Sequence, residues 1–506
     1  MRIVRSLTAV ATALALVTPV TAAAKAPYDV PRINWGSCGA APELAPFQCA
    51  SVEVPTDYDR PNGPTTTIAL TRLPAADPAQ RVGSLFINPG GPGAPGVPFV
   101  QQIASSYSPQ LRARFDIVGF DPRGVGLSDP ATCYPTAAEE AVVLAKLKDF
   151  PVTAAEERGY IADAAKLAAS CRRTSPDRLR HMSTANVARD LDLLRRAVGD
   201  AKLSYLGYSY GTFLAATYAK LFPNNVRALV MDGTLVPERY TGSNGERLPV
   251  GARYRQGEAA SDSYQQFLLE CKKAAAACPL NALGDPRTVV ENLLERLKTK
   301  PIGHFDYPTT VGYMFGSFYS STTYPALAQQ LAELATSATS AKAVRKEDYP
   351  SIGNALQPCI ETRNTGRPLS YPAYADAADG RAPHFGRFRA WIGIHCEFLG
   401  LKDQDAYFAP WPNQVRRPVL IFGTRHDPGT PYEATRPFAN LWPDARMVTI
   451  EGWGHATSLG ASKCADRLLT TYLSTLQAPS DGSTCQQDRK PFDPLPAGKS
   501  VAGLIR

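Results

Sequence analysis

Features that mark metal-binding and nucleic-acid-binding proteins are missing from this sequence of 506 residues. It contains no Cys-x-x-Cys pair, and its six histidines form no spaced cluster, so no metal site is predicted. It also lacks long blocks of lysine or arginine, and its formal net charge of +8 is mild for this length. These absences argue against a metalloprotein and against a nucleic-acid-binding protein.

Long apolar runs are also missing after the first residues, so the sequence predicts no membrane-spanning helix. Residues 1–24 have the composition of a secretory signal peptide, with Arg2 and Arg5 before a mostly apolar stretch that ends in small residues. No cysteine follows closely enough to carry a lipid. We therefore expect a secreted, extracellular protein without a stable membrane anchor.

The ten cysteines of the chain all lie after residue 24, and their even number in an exported protein favours disulfides. Sequence alone does not determine how they pair. Our working expectation joins nearest neighbours, as Cys38–Cys49, Cys133–Cys171, Cys271–Cys278, Cys359–Cys396 and Cys464–Cys485.

Short apolar runs alternate with helical patterns in two separate parts of the chain. The six runs that read as buried strands are residues 82–88, 115–121, 203–207, 228–232, 418–423 and 446–450. Such runs predict a parallel sheet covered by helices on both faces, and residues 184–198 have the pattern of one covering helix. The fold class is therefore α/β, with a mostly parallel sheet.

Between residues 230 and 419 this rhythm changes, because helical patterns continue there without a convincing strand. We interpret this stretch as a helical cap inserted into the sheet domain. The predicted units are a signal peptide (1–24), a first part of the core (25–235), the cap insertion (236–412), a second part of the core (413–478) and an irregular C-terminal tail (479–506).

The strand at residues 203–207 runs directly into the segment Gly207–Gly211, which has the pattern Gly-x-Ser-x-Gly and is followed by a predicted helix. In such a nucleophile elbow the strand turns sharply into the helix, glycines make room for the turn, and the serine hydroxyl is exposed. We predict that Ser209 is the nucleophile of a serine hydrolase. A plain Gly/Ser loop is the alternative for the pentapeptide alone.

A nucleophilic serine needs a base, and the base needs an acid that orients it. Of the six histidines, only His455 lies in a short glycine-containing loop just after the last strand. Asp427 follows the preceding strand, which gives the chain order Ser209, Asp427, His455. Asp232 also ends a strand and is the runner-up acid.

The negative charge that develops on the substrate oxygen needs two backbone N–H donors. One is expected from Tyr210, the residue after the nucleophile, and the other from the glycine-rich turn 89–93, with Gly91 as our choice. A second glycine-rich turn begins after Asp121 and offers no obvious catalytic group, so we interpret its Arg123 as structural.

Together these motifs resemble the proline iminopeptidase-like serine peptidases of the α/β-hydrolase fold, and within them the secreted tripeptidyl aminopeptidase branch of actinobacteria. The matching segments are Asn88–Gly93, Asp121–Ser128, Gly207–Thr212, Asp427–Pro428 with Thr430–Pro431, and Gly454–His455. The resemblance runs over nearly all of the mature chain. It implies that short peptides, with tripeptides as the expected product, are released from free N-termini through an acyl-enzyme on Ser209.

The resemblance also implies a capped pocket whose acidic groups bind the α-ammonium group of the substrate, since a cation in a closed site needs a carboxylate partner. The cap offers Glu361, where the family pattern Cys-x-Asp has aspartate, and Glu397, which follows Cys396. The two carboxylates would lie close together if Cys359 and Cys396 pair. Solvated surface carboxylates are the competing interpretation for each.

The expected partner is a peptide or another small-molecule substrate, and the chemistry needs no metal or organic cofactor. A secreted carboxylesterase or amidase of the same fold, acting on small esters or amides, is the alternative, because the same three residues serve both reactions. A non-catalytic binding protein is disfavoured because no member of the triad is lost. Asn88 replaces the histidine that begins the turn in proline iminopeptidases proper, which disfavours release of single prolines.

Overall fold

The computed structural model describes residues 29–145, 147–337, 356–458 and 460–494. Its centre is a ten-stranded sheet with the strand order β1-β2-β3-β5-β4-β6-β7-β8-β9-β10. The strands are β1 (Gly36–Ser37), β2 (Gln48–Pro55), β3 (Thr65–Leu73), β4 (Gly83–Asn88), β5 (Phe115–Phe120), β6 (Leu203–Tyr208), β7 (Val226–Asp232), β8 (Val419–His426), β9 (Ala445–Trp453) and β10 (Ser483–Gln486). The signal peptide predicted for residues 1–24 lies outside the described residues.

In the order of the sheet, all strands from β5 through β4 to β10 pair in parallel with their neighbours. The strands β1, β2 and β3 form an antiparallel edge, in which β3 pairs with β5. This confirms the mostly parallel sheet, and the six predicted strands are β4 to β9. The edge strands β2 and β3 are not predicted from the sequence. Both carry exposed or half-buried residues between buried ones, so they lack the continuous apolar run that identifies a strand buried on both faces.

Helices cover the sheet and build the cap. In chain order they are α1 (Gly96–Ile103), α2 (Pro109–Arg114), α3 (Ala137–Leu144), α4 (Ala154–Thr174), α5 (Pro176–Arg180), α6 (Thr184–Ala197), α7 (Tyr210–Leu221), α8 (Pro237–Thr241), α9 (Val250–Arg253), α10 (Gln256–Lys273), α11 (Pro286–Leu297), α12 (Tyr307–Ser317), α13 (Tyr324–Thr336), α14 (Gln357–Glu361), α15 (Tyr371–Arg381), α16 (Phe385–Ala390), α17 (Cys396–Leu399), α18 (Thr435–Ala439) and α19 (Lys463–Thr475). Within the described ranges, no helix is both long enough and apolar enough to cross a membrane.

Successive residues of the central strands belong to two hydrophobic cores, one on each face of the sheet. In β6, where all six residues are buried, Tyr205 packs with apolar residues of α6, α7 and α18. The next residue, Leu206, packs with residues of α1, α2 and α19 on the other face. Burial of both faces is why these strands read as unbroken apolar runs in the sequence.

A helical segment that the sequence-based boundaries assign to the core packs against the cap. The described part of the insertion 236–412 is helical, and α4, which lies between β5 and β6, packs against helices of this insertion. Phe150 and Ala164 pack in one cluster with cap residues such as Trp391, and Glu157 of α4 forms an ion pair with Arg387 of α16, with 2.8 Å between Oε1 and Nη1. The boundary at residue 235 therefore separates segments of the chain rather than layers of the structure.

The expectation of an irregular tail from residue 479 is wrong for β10. This strand pairs in parallel with β9, and its Cys485 forms a disulfide with Cys464 of α19. The sequence Ser-Thr-Cys-Gln of β10 has no apolar run, and only Cys485 in it is buried. Its strand structure depends on an available edge of the sheet and on the disulfide, neither of which is visible in the local sequence.

The cysteines are joined in nearest-neighbour order, and no free cysteine remains in the described ranges. The five disulfides are Cys38–Cys49, Cys133–Cys171, Cys271–Cys278, Cys359–Cys396 and Cys464–Cys485. Two of them, Cys271–Cys278 and Cys359–Cys396, lie within the cap insertion. Because disulfides persist in oxidising compartments, this set is compatible with an extracellular protein.

Candidate active site

Ser209 lies on the tight turn between β6 and α7. Its backbone has φ 55° and ψ −124°, a conformation with positive φ that residues other than glycine rarely adopt. The turn brings Gly207 close to Gly211, so that a Cβ on Gly207 would lie 2.4 Å from the carbonyl oxygen of Gly211. Only glycine permits this approach, which explains the glycines of the Gly-x-Ser-x-Gly pattern.

His455 and Asp427 form a buried pair at the same end of the sheet as Ser209. Asp427 follows β8 and His455 follows β9, and parallel neighbours bring their carboxyl ends to one edge. Nδ1 of His455 lies 2.8 Å and 2.9 Å from the two carboxylate oxygens of Asp427. With Nδ1 donating to the carboxylate, Nε2 remains available to accept a proton.

The carboxylate of Asp427 is held by donors on every side. The backbone N–H groups of Gly429 and Thr430 donate to Oδ1 at 2.7 Å and 2.8 Å, and the Thr430 hydroxyl donates to Oδ2 at 2.9 Å. Its side chain is 1% exposed. An ionised carboxylate has only acceptor oxygens, so this set of donors matches the charged form that orients an imidazole.

The end of β7 lies close to both the serine and the histidine. The backbone N–H of Ser209 donates to the carbonyl oxygen of Asp232 at 2.9 Å. The His455 ring lies over the following residue, Gly233, where a Cβ would be 3.0 Å from Cε1 of the ring. Ser209 and His455 therefore both lie next to the segment Asp232–Gly233.

Opposing effects set the pKa of His455. Burial of the ring lowers the pKa, but the charge of Asp427 and its hydrogen bond, helped by the nearby charge of Asp232, outweigh burial and raise the pKa above its ordinary value of 6.5. A base with a raised pKa is a stronger proton acceptor, provided that the pH keeps it neutral.

Asp232, the runner-up acid, does not contact His455 in this way. It is fully buried, its Oδ2 accepts a hydrogen bond from the backbone N–H of Ser458 at 2.8 Å, and its Oδ1 has no partner among the described residues. Burial raises its pKa to about 6. The structure thus gives Asp427 the contact with the histidine, whereas Asp232 acts on the histidine only through its charge.

The glycine-rich turn after β4 lies directly against the elbow. A Cβ on Gly90 would come within 2.8 Å of the Ser209 Cβ and 3.0 Å of the Tyr210 backbone nitrogen. The side chain of Asn88 accepts a hydrogen bond from the Gly90 backbone N–H at 3.0 Å, which fixes the turn. Within the described residues, no hydrogen bond engages the backbone N–H of Gly91 or of Tyr210, so both are free to bind an oxyanion.

A cap residue that sequence reasoning misses covers the histidine. The carbonyl oxygen of Tyr319, which lies just after α12, accepts a hydrogen bond from the backbone N–H of His455 at 2.9 Å. The two rings meet edge to face, with 4.9 Å between their centroids, and Tyr319 is 38% exposed. No sequence pattern identifies Tyr319, because its role depends on how the cap docks on the core.

Glu361 and Glu397 follow Cys359 and Cys396, which form a disulfide, and each carboxylate accepts hydrogen bonds from a different set of residues. Glu361 is 2% exposed and accepts hydrogen bonds from the backbone N–H and the hydroxyl of Thr184, at 2.6 Å and 2.9 Å, and from the Tyr240 hydroxyl at 2.7 Å. Burial raises its pKa to about 7.

Glu397 serves a different loop of the cap. It accepts hydrogen bonds from the backbone N–H and hydroxyl of Thr365, from the Gly366 backbone N–H and from the Tyr371 hydroxyl. Both glutamates are thus occupied by donors from the protein itself. The role of the two glutamates as a shared binding site for the substrate's ammonium group stays a prediction.

Arg123 has the structural role expected for it. Its guanidinium group pairs with Asp190 of α6 through Nη2–Oδ1 and Nε–Oδ2 contacts of 2.6 Å and 2.7 Å, and it donates to the carbonyl oxygens of Pro55 and Thr56. Arg123 and Asp190 are 2% and 0% exposed. The pair ties the end of β2 to a helix that packs on the sheet.

Two groups of side chains in the described ranges are close enough to be considered as metal ligands. One is Cys359 and Cys396 with His395, but the two sulfur atoms are joined in a disulfide and are not thiolates. The other is Asp57 with Asp59 and Asp405, and Asp57 already pairs with Arg60. Neither group includes a residue of the Ser209 site.

The chain belongs to the α/β-hydrolase fold family, whose profile matches residues 83–461. It is a serine hydrolase of this family and is similar to the serine protease Hip1 of Mycobacterium tuberculosis, with 30% identity over 471 residues that cover 86% of this chain and 87% of the relative. It is 29% identical to the tripeptidyl aminopeptidase of Streptomyces lividans, over 91% and 87% of the two chains. Carboxylesterase B of Mycobacterium tuberculosis is also 29% identical, over 88% and 89%. These relatives confirm the resemblance found in the motifs.

Proposed function

We propose that this chain is a secreted serine aminopeptidase that releases short peptides, with tripeptides as the main product, from free N-termini. The observation that carries the proposal is the hydrogen bond between His455 and Asp427, which lies at the same end of the sheet as Ser209 on the turn after β6. The similarity to a tripeptidyl aminopeptidase and to a serine protease, each over most of the chain, supports peptides as the substrate class.

The proposed reaction uses three side chains and two backbone N–H groups. His455 takes the proton of the Ser209 hydroxyl as the serine oxygen attacks the scissile carbonyl carbon, and Asp427 stabilises the imidazolium that forms. The backbone N–H groups of Gly91 and Tyr210 bind the negatively charged oxygen of the tetrahedral intermediate. His455 then gives its proton to the leaving amine, and water hydrolyses the acyl-enzyme by the same steps.

Export is part of the proposal. Its support is the signal-peptide composition of residues 1–24 and the five disulfides, which form and persist in oxidising compartments. Mass spectrometry of the protein in culture medium tests this part. A mature N-terminus close to residue 25 is expected, whereas an intact N-terminus on protein found only inside cells would contradict export.

A second candidate function is hydrolysis of small esters by the same residues. The observation that favours it is the carboxylesterase relative, which matches at the same identity as the peptidase relative. Ester and peptide hydrolysis share the acyl-enzyme, so the triad supports both.

A substrate panel separates the two functions. We expect the purified protein to release p-nitroaniline from a free tripeptide p-nitroanilide and to leave the N-acetylated tripeptide largely uncut. Equal cleavage of both peptides would contradict recognition of a free N-terminus, and cleavage of p-nitrophenyl acetate alone would favour the esterase. Ser209→Ala should abolish turnover of every substrate and labelling by a fluorophosphonate, with a loss in kcat of about 10⁶.

A further inference from the structure

The side chain of Tyr210 meets the cap, although the proposed reaction uses only its backbone N–H. The residue is 2% exposed. Its hydroxyl contacts the hydroxyl of Thr184, the first residue of α6 in the core. It also accepts a hydrogen bond of 2.6 Å from Nε2 of Gln357, the first residue of α14 in the cap. The residue after the nucleophile therefore lies where core and cap meet.

Glu361 completes this contact from the last position of α14. Its carboxylate accepts hydrogen bonds from the hydroxyls of Thr184 and Tyr240. The Thr184 hydroxyl contacts Tyr210, and the ring centroids of Tyr240 and Tyr210 are 5.9 Å apart. Three donors converge on the carboxylate, counting the Thr184 backbone N–H, and its ionised form, which has only acceptor oxygens, satisfies all three. One side chain of the cap thus fixes two groups that flank the Tyr210 ring.

The helix that carries Glu361 is itself held in place. The disulfide Cys359–Cys396 joins α14 to α17. Nζ of Lys402 donates to the carbonyl oxygens of Cys359 and Thr362, each at 2.7 Å, and so caps the end of α14. A carboxylate on a helix with these two anchors is a stiff support rather than a mobile ligand.

We propose that Glu361 is a positioning residue for the oxyanion hole and not a ligand for the substrate's ammonium group. Through Thr184 and Tyr240 it fixes the ring of Tyr210, and the ring fixes the direction of the adjacent backbone N–H at the start of α7. The inference rests on the proposed roles of Ser209 and Tyr210. An oxyanion donor acts only within a narrow range of distance, so a small displacement of Tyr210 weakens binding of the transition state.

Glu361→Gln tests the proposal, because the amide keeps the volume but places an N–H group among the donors. We expect kcat to fall about tenfold or more, less than the 10²–10³ that follows loss of a whole oxyanion donor. The fall should be equal on the free tripeptide p-nitroanilide and on p-nitrophenyl acetate, with KM changed less than twofold. Tyr210→Phe should give a similar loss, and the double variant should be no worse than the more damaging single variant.

Glu291→Gln is the matched control. Glu291 is another cap carboxylate that holds a tyrosine hydroxyl, that of Tyr264, and it has no contact with Tyr210. Its substitution should leave kcat unchanged. A rise in KM confined to the free tripeptide in Glu361→Gln would overturn the proposal, because it would make Glu361 an ammonium ligand, and so would unchanged kcat on all substrates.

The ester distinguishes failure of this inference from failure of the proposed function. If the wild-type protein hydrolyses p-nitrophenyl acetate but no peptide, the aminopeptidase function is wrong, and the effect of Glu361→Gln is still measured on the ester. If Glu361→Gln does not fold, which its thermal transition and circular dichroism would reveal, Tyr210→Phe removes the same contact from the core side. Unchanged kcat in folded Tyr210→Phe would then overturn the inference.

Discussion

The core and the cap place their buried carboxylates in different ways. Asp427 lies after a strand of the sheet, and the pairing of β8 with β9 brings it to His455. Glu361 lies on a short cap helix, and its partners Thr184 and Tyr240 come from distant parts of the chain. The role of a core residue thus follows from its position in the sheet topology, whereas the role of a cap residue follows from contacts that exist only after folding.

Asp427→Asn tests the core side of this comparison and has the largest expected effect. The amide would favour the wrong tautomer of His455, and a loss of about 10⁴ in kcat is expected on peptide and ester alike. Single-turnover acylation of Ser209 measures this directly. A loss below tenfold, or a loss confined to one substrate, would show that Asp427 is not the orienting acid.

The same contrast explains what the sequence predicts. The six central strands, the helix at residues 184–198 and the positions of Ser209, Asp427 and His455 follow from apolar runs and from the residues that come directly after them. Parallel pairing then places these residues at one edge. A short segment of sequence is enough for each step, because each strand is buried on both faces.

The remaining features depend on long-range contacts. Phe150, which lies between α3 and α4, packs against the cap rather than against the sheet, and no local pattern in the sequence shows this. The covering residue Tyr319 and the strand β10 have no local signature. Glu361 is found by its position in a motif, but a motif does not reveal that three donors of the protein occupy its carboxylate.

Breaking the buried ion pair of the core should have the second-largest effect, and on stability rather than on chemistry. Arg123→Met leaves Asp190 charged and fully buried, and we expect the free energy of unfolding to fall by about 3–5 kcal/mol in chemical denaturation. The double variant Arg123→Met with Asp190→Leu should recover much of the loss, because no buried charge remains. A double variant as unstable as the single one would contradict this account.

Removal of the disulfide Cys359–Cys396, by serine at both positions, tests the anchoring of the cap. The bridge closes a sequence separation of 37 residues, and its loss should lower stability by about 2–4 kcal/mol. Because α14 carries Glu361 and Gln357, kcat should fall as well.

The bridge Cys38–Cys49 is the matched control, since it joins the residue after β1 to β2 at the edge of the sheet, over a separation of 11 residues. Its removal should destabilise the protein less and leave kcat unchanged. Equal effects of the two removals on kcat would show that the anchoring of α14 has no influence on the site.

The smallest of these effects is expected in the pH dependence of activity, which depends on the two carboxylates that raise the pKa of His455, Asp427 and Asp232. The base must be neutral to accept a proton, so kcat/KM should fall as the pH decreases through the raised pKa of His455, with a midpoint above 6.5. Asp232, whose pKa is raised to about 6, is ionised in that range and contributes to the raised value. Asp232→Asn should therefore move the midpoint to lower pH by less than about one unit, and one unit is equivalent to about 1.4 kcal/mol. An unmoved midpoint, measured against Glu291→Gln as a control, would mean that the charge of Asp427 alone sets the pKa of the base.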